Sequence, residues 1–97
     1  MSPTLYRKER LISQIRQLAA EFLNRESNRL SLITITNIKL SDDYKHAIIE
    51  VSVLPDEQKI AALEFVNRKR GVLRSQLGSK MRLKRAPTVD FALSLSE

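Results

Sequence analysis

The sequence predicts an α+β domain in which one long amphipathic helix precedes a β-hairpin, two shorter helices and a closing strand. Three observations carry this reading. Apolar residues recur at helical spacing in the first quarter; a run rich in β-branched residues is followed by strict alternation; and a glycine interrupts the second helical pattern. Ninety-seven residues leave room for one core, so 1–97 is read as a single domain, with three strands in one sheet and the helices packed on one face.

Residues 3 to 25 form the first helix. Ser2 suits the N-cap and Pro3 the first helical position, where a missing N–H costs nothing. Leu11, Ile15, Leu18 and Phe22, widened by Ile12, Ala19 and Leu23, make the stripe that a single core needs. Ser27-Asn28-Arg29 breaks the pattern.

Residues 31 to 40 carry Ile33, Thr34, Ile35, Thr36 and Ile38, a strand composition. Its parity is divided, because Ile33 and Ile35 fall on one face while Leu32, Ile38 and Leu40 fall on the other. Either the sheet is partly covered on both faces or a bulge shifts the register. Ser41 to Lys45 supply turn chemistry through Asp42 and Asp43. Ala47, Ile49, Val51 and Val53 then alternate inward against His46, Ile48, Glu50 and Ser52, completing an antiparallel hairpin.

Pro55-Asp56-Glu57 opens the second helix, with acidic groups at the positive end of the helix dipole. Ile60, Leu63 and Val66 mark its buried side. The pattern falters at 67–71 and resumes as Leu73, Leu77 and Met81, which predicts a helix kink at Gly71. Beyond Pro87, the alternation of Val89, Phe91 and Leu93 gives the third strand. The buried set is expected to include Leu18, Ile49, Val51, Val53 and Phe91.

The composition also bounds function. There are no cysteines, which removes disulfides, thiolate metal sites and cysteine nucleophiles. The first residues lack the apolar stretch of a signal peptide and no apolar run approaches a membrane span, so a cytoplasmic location is expected. The one histidine, His46, has no evident partner for general-base work and reads as a solvated surface residue. Asp42 and Asp43 suit a turn rather than a metal, and no glycine-rich phosphate loop is present. The expectation is a chain that is not an enzyme and needs no cofactor.

Charge points instead to a binding function. Seventeen Lys and Arg stand against eleven Asp and Glu, a net charge of +6. Eight of the basic residues are Arg68, Lys69, Arg70, Arg74, Lys80, Arg82, Lys84 and Arg85, in a stretch from Phe65 to Val89 with no acid. A merely solvated helix intermixes Glu with Lys, so this unrelieved repulsion calls for an anionic partner such as a phosphate backbone. Arg70 and Arg74, one turn apart, are placed to bridge neighbouring phosphates. Arg7, Lys8 and Arg10 form a second cluster. Phe22, Phe65 and Phe91 fit the core, leaving Tyr6 and Tyr44, too few rings for a base-stacking platform. Backbone and shape contacts, on folded RNA, are therefore expected to dominate.

The order α-β-β-α-α-β is that of a type II KH-like domain, although the usual GXXG loop is replaced by Asn67-Arg68-Lys69-Arg70-Gly71-Val72. Arg10 to Arg16, Leu32 to Ser41 with Asp43 to Ala47, Gly71 to Gly78 and Met81 to Pro87 together resemble the ribosome-binding factor A family, over nearly the whole chain. Lys69-Arg70-Gly71 stands where the family has Ala-x-Gly, Ser27-Asn28-Arg29 stands where it has Asp-Pro-Arg, and many relatives continue beyond the position of Glu97. The resemblance implies a monomeric, cytoplasmic assembly factor for the small ribosomal subunit. It would bind the immature 30S particle, assist late maturation and processing of 16S rRNA, above all in the cold, and then leave. Two other readings of the basic face are a protein-interaction module meeting an acidic partner and a double-stranded DNA binder. The second is disfavoured by the lack of a recognition helix.

Overall fold

The structure, a computed structural model, describes residues 3–26, 30–81 and 85–94, and the side chains from Arg7 onward within them. Ser2, the segment 27–29, Arg82 and Lys84 lie outside the described residues, as does the Tyr6 side chain. The elements run α1 Pro3–Glu26, β1 Leu32–Leu40, β2 His46–Leu54, a 3-10 turn Asp56–Gln58, α2 Lys59–Arg68, α3 Arg70–Met81 and β3 Thr88–Leu93. This is the predicted order. The sheet runs β1-β2-β3, with β1 antiparallel and β3 parallel to the central β2.

A β-bulge resolves the divided parity of β1. Ile35 pairs with Val51 and Asn37 with Glu50, so Thr36 is the extra residue. The shift turns Ile38 and Leu40 to the same face as Ile33 and Ile35. That face, with Ala47, Ile49, Val51 and Val53 from β2 and Val89 and Phe91 from β3, meets the helices. The opposite face is open, with Leu32 64%, Leu54 61% and Ile48 42% exposed.

From α1, Leu11, Ile15, Ala19, Phe22 and Leu23 are buried, and the Phe22 ring stacks on Phe91 with centroids 5.8 Å apart. Leu18, expected inside, is only half-buried. It flanks the buried line and looks into a small cleft shared with Gln14, Gln17 and Lys80. Ile60, also expected inside, is 63% exposed. The helical buried line of α2 runs through Ala62 and Val66, and a residue two places from Ala62 is turned about 200° away from it. Leu73, Leu77 and Met81 form the buried line of α3 as predicted.

The helix junction falls at Lys69, two residues before Gly71, and its cause differs from the predicted one. Lys69 adopts φ −100 and ψ 4, a bridge conformation open to any L-residue. Gly71 is helical, in the first turn of α3, and no glycine has positive φ. Glycine's conformational freedom is therefore not what makes the kink.

The hairpin turn is closed by a side-chain relay. The Ser41 hydroxyl accepts from the His46 N–H at 3.0 Å and donates to an Asp43 oxygen at 2.6 Å, which also accepts from the Lys45 N–H at 3.0 Å. These donors, Ser41 first, hold the Asp43 carboxyl below its ordinary value. Tyr44 takes the left-handed position, with φ 62.

Candidate nucleic-acid interface

The break at Lys69 gives α2 and α3 different directions and leaves a corner crowded with cations. Asn67, in the last turn of α2, anchors that corner to the sheet. Its side-chain amide donates to the Phe91 carbonyl at 3.1 Å and accepts from the Phe91 N–H at 2.9 Å. The pair closes the outer edge of β3 at that residue, which fixes the distance between helix corner and strand.

Between corner and strand lies an open groove of about 1070 Å³. Arg68, Arg70 and Arg74, with one acidic residue, Glu64, line its helix wall; His46, Thr88 and Asp90 line its strand wall. Gly71 sits between Arg70 and Arg74, and a Cβ built there would meet nothing within 4 Å. The missing side chain leaves the helix wall bare between these two arginines. At the strand side, the His46 Nδ1 lies 2.6 Å from the Thr88 hydroxyl, which also lies 3.3 Å from the Lys45 carbonyl.

The basic residues picked out in the sequence divide by position. Arg68, Arg70 and Arg74 come together in the groove. Lys69 turns away: its Nζ lies 3.5 Å from Glu26 and 5.7 Å from the Phe65 ring centroid. Arg70 reaches Asp90 at 3.4 Å across the groove mouth. The acid-free stretch is thus partly compensated by acids from distant parts of the chain, contrary to the expectation of unrelieved repulsion. Folding brings α1 and β3 against the corner, which spacing along the chain does not reveal. Arg68 and Arg74 have no ion pair among the described residues. Lys80 is exposed at the far end of α3, and Arg85 is exposed just before β3.

The second cluster is tied to the hairpin turn. Lys8 pairs with Asp42 at 2.8 Å, and the Arg7 guanidinium lies 5.5 Å from the centroid of the Tyr44 ring, while Arg10 is exposed. Sequence reasoning missed Asn67, Thr88 and the groove position of His46. Only the strand pairing of His46 with Thr88 brings these last two together.

An α-β-β-α-α-β domain with a cationic groove at its helix corner, in place of a GXXG loop, is a KH-like nucleic-acid-binding class of fold. Within that class, residues 7–96 match the model of ribosome-binding factor A, and the chain belongs to that family. It is 34% identical over 88 residues to the ribosome-binding factor A of Micrococcus luteus, an alignment covering 88% of this chain and 60% of that protein. Across the curated relatives compared, the chain spans 57% to 78% of their length. The crystal structure of the Thermus thermophilus factor superposes with a TM-score of 0.77 at 27% identity, covering 93% of this chain and 98% of that one. A homology model of the Thermus thermophilus factor, fitted into a cryo-EM map of a 30S complex, superposes at 0.73 with 26% identity, covering 86% and 90%.

Proposed function

We propose that this chain is a cytoplasmic factor that binds the immature 30S subunit and assists late maturation and processing of 16S rRNA. The observation that carries the reading is the convergence of Arg68, Arg70 and Arg74 on one wall of a groove, a wall that carries no side chain at Gly71. Family membership and the 30S complex of the Thermus thermophilus relative support it.

Guanidinium groups on one wall engage successive phosphates, and each such contact releases condensed counterions. The two walls are held at a set spacing by Asn67, so the groove favours the RNA conformer whose backbone fits it. A factor that binds one conformer better than its competitors shifts the population toward that conformer. Release follows when maturation removes that geometry.

The test is sedimentation of small subunits from cells lacking the endogenous factor, with added wild-type protein or the Arg68/Arg70/Arg74→Ala variant at low salt. Wild type is expected to travel with immature small subunits and the variant to stay at the top of the gradient. Equal co-sedimentation of the folded variant would remove the groove from the interface. Migration of wild type with an RNA-free protein complex would refute the RNA reading itself.

A further inference from the structure

The far edge of the sheet, away from the groove, is β1. Among the described residues β1 pairs with β2 alone, leaving its other side open. The direction of its backbone groups follows from the ladder. The Ser94 N–H donates to the Val51 carbonyl at 2.7 Å, so Val51 directs its backbone toward the β3 side. Ile35, opposite Val51, therefore belongs to a non-hydrogen-bonded pair and directs its own N–H and C=O to the open edge. Ile33, opposite Val53, does the same.

Behind this edge runs a cleft of about 320 Å³ between α1 and β1. Arg16, Ala20 and Leu23 line its helix side, one helical ridge at spacings of four and three. Ile33 and Ile35 line the strand side, and both remain half-buried although they point to the core face. Thr34, which points to the other face, lines the cleft too, so the cleft opens onto the strand edge itself. Its lining contains one cation and no anion, and Arg16 is exposed with no ion pair among the described residues.

We propose that this edge and cleft bind an extended segment of a partner protein, added as a fourth strand, whose cleft-facing side chains, every second residue, are apolar with one acidic residue among them. Backbone groups of the segment pair with Ile33 and Ile35; of the side chains it turns toward the helix, the apolar ones enter the cleft against Ala20, Leu23 and the two isoleucines and a carboxylate meets Arg16. Strand addition of this kind takes its affinity from the main chain and its selectivity from the alternate side chains. The site lies across the sheet from the arginine groove, so RNA and such a segment can be held together.

The probe is the blocked hexapeptide Val-Thr-Val-Thr-Glu-Thr, whose valines and glutamate share one face of a strand, titrated into the intact protein while amide chemical shifts are followed. Shift changes centred on Arg16 and on residues 33–35 are expected. A peptide of the same sequence with alternate backbone nitrogens methylated, unchanged in charge, should lose binding. Arg16→Glu should weaken the unmethylated peptide at least about threefold, the scale of one exposed ion pair. Three results would overturn the proposal. Shifts confined to the Arg68–Arg74 groove would mean simple charge attraction. Equal binding of the methylated peptide would mean that no strand is added. Sedimentation of the free protein as a dimer that the peptide does not dissociate would assign the edge to a second copy of this chain.

Discussion

Asn67 holds Phe91 by both of its backbone groups, donating to the carbonyl at 3.1 Å and accepting from the N–H at 2.9 Å. A single side chain thus does for the edge of β3 what a neighbouring strand would do, and it ties the cationic corner to the ring that stacks on Phe22. Asn67→Ala leaves a part-buried donor and acceptor without partners, which should cost about 1–3 kcal/mol. Urea denaturation measures this directly. A loss under about 0.5 kcal/mol would show that water replaces the amide without penalty.

Gly71 separates stability from binding. The residue is helical, its φ is negative, and a Cβ would enter open space. Gly71→Ala should therefore stabilise the fold by about 0.5–1 kcal/mol, through helix propensity and a less flexible unfolded chain. If RNA binds in the groove as proposed, the same methyl projects into its path between Arg70 and Arg74, so rRNA affinity should fall while the melting temperature rises. A variant that is less stable than wild type would mean that the helix corner needs glycine after all.

These two residues mark how far the sequence could be read. Local periodicity revealed the element order, the inward line of β2 and the buried line of α3, because side chains there repeat at the period of their own element. The Lys69 break was located to within two residues, but its cause was misassigned, since sequence does not show whether a glycine uses its extra conformations. Ile60 was misplaced because the line Ile60, Leu63, Val66 steps by threes and drifts round the helix, whereas the buried line of α2 steps by four through Ala62 and Val66. The groove was legible only as a density of arginines. Its strand wall, its Asn67 anchor and the ion pairs of Lys69 and Arg70 come from parts of the chain that meet only in three dimensions.

The hairpin turn should carry a small acid-dependent contribution. Asp43 is held below its ordinary value of 3.8 by the Ser41 hydroxyl and the Lys45 N–H. A carboxylate depressed in the folded state stabilises above its unfolded value, and that contribution is lost as pH falls through the folded one. The melting-temperature difference between wild type and Asp43→Asn should hold steady from about pH 7 to about pH 5 and shrink below pH 3.8. A difference that does not change down to about pH 2 would mean that the charge of Asp43 contributes nothing to the turn.

Arg70 and Arg74 share a wall of the groove but not an electrostatic state, because Arg70 is drawn to Asp90 at 3.4 Å while Arg74 has no acidic partner among the described residues. Counterion release makes the two distinguishable. Each phosphate contact contributes about −0.7 to −0.9 to the slope of log K against log salt, so Arg74→Ala should flatten the slope for rRNA by about that amount. Asp90→Asn removes the competing carboxylate and should have the opposite effect, with tighter binding and a steeper slope. Lys69→Ala is the control: it deletes a charge of the same run whose Nζ lies beside Glu26 and away from the groove, and it should leave the slope nearly unchanged. All three side chains are exposed, so circular dichroism should report an intact fold in each variant. If Lys69→Ala flattens the slope as much as Arg74→Ala, net charge and not the groove governs binding. If Asp90→Asn weakens binding, the carboxylate positions Arg70 for RNA instead of competing with it.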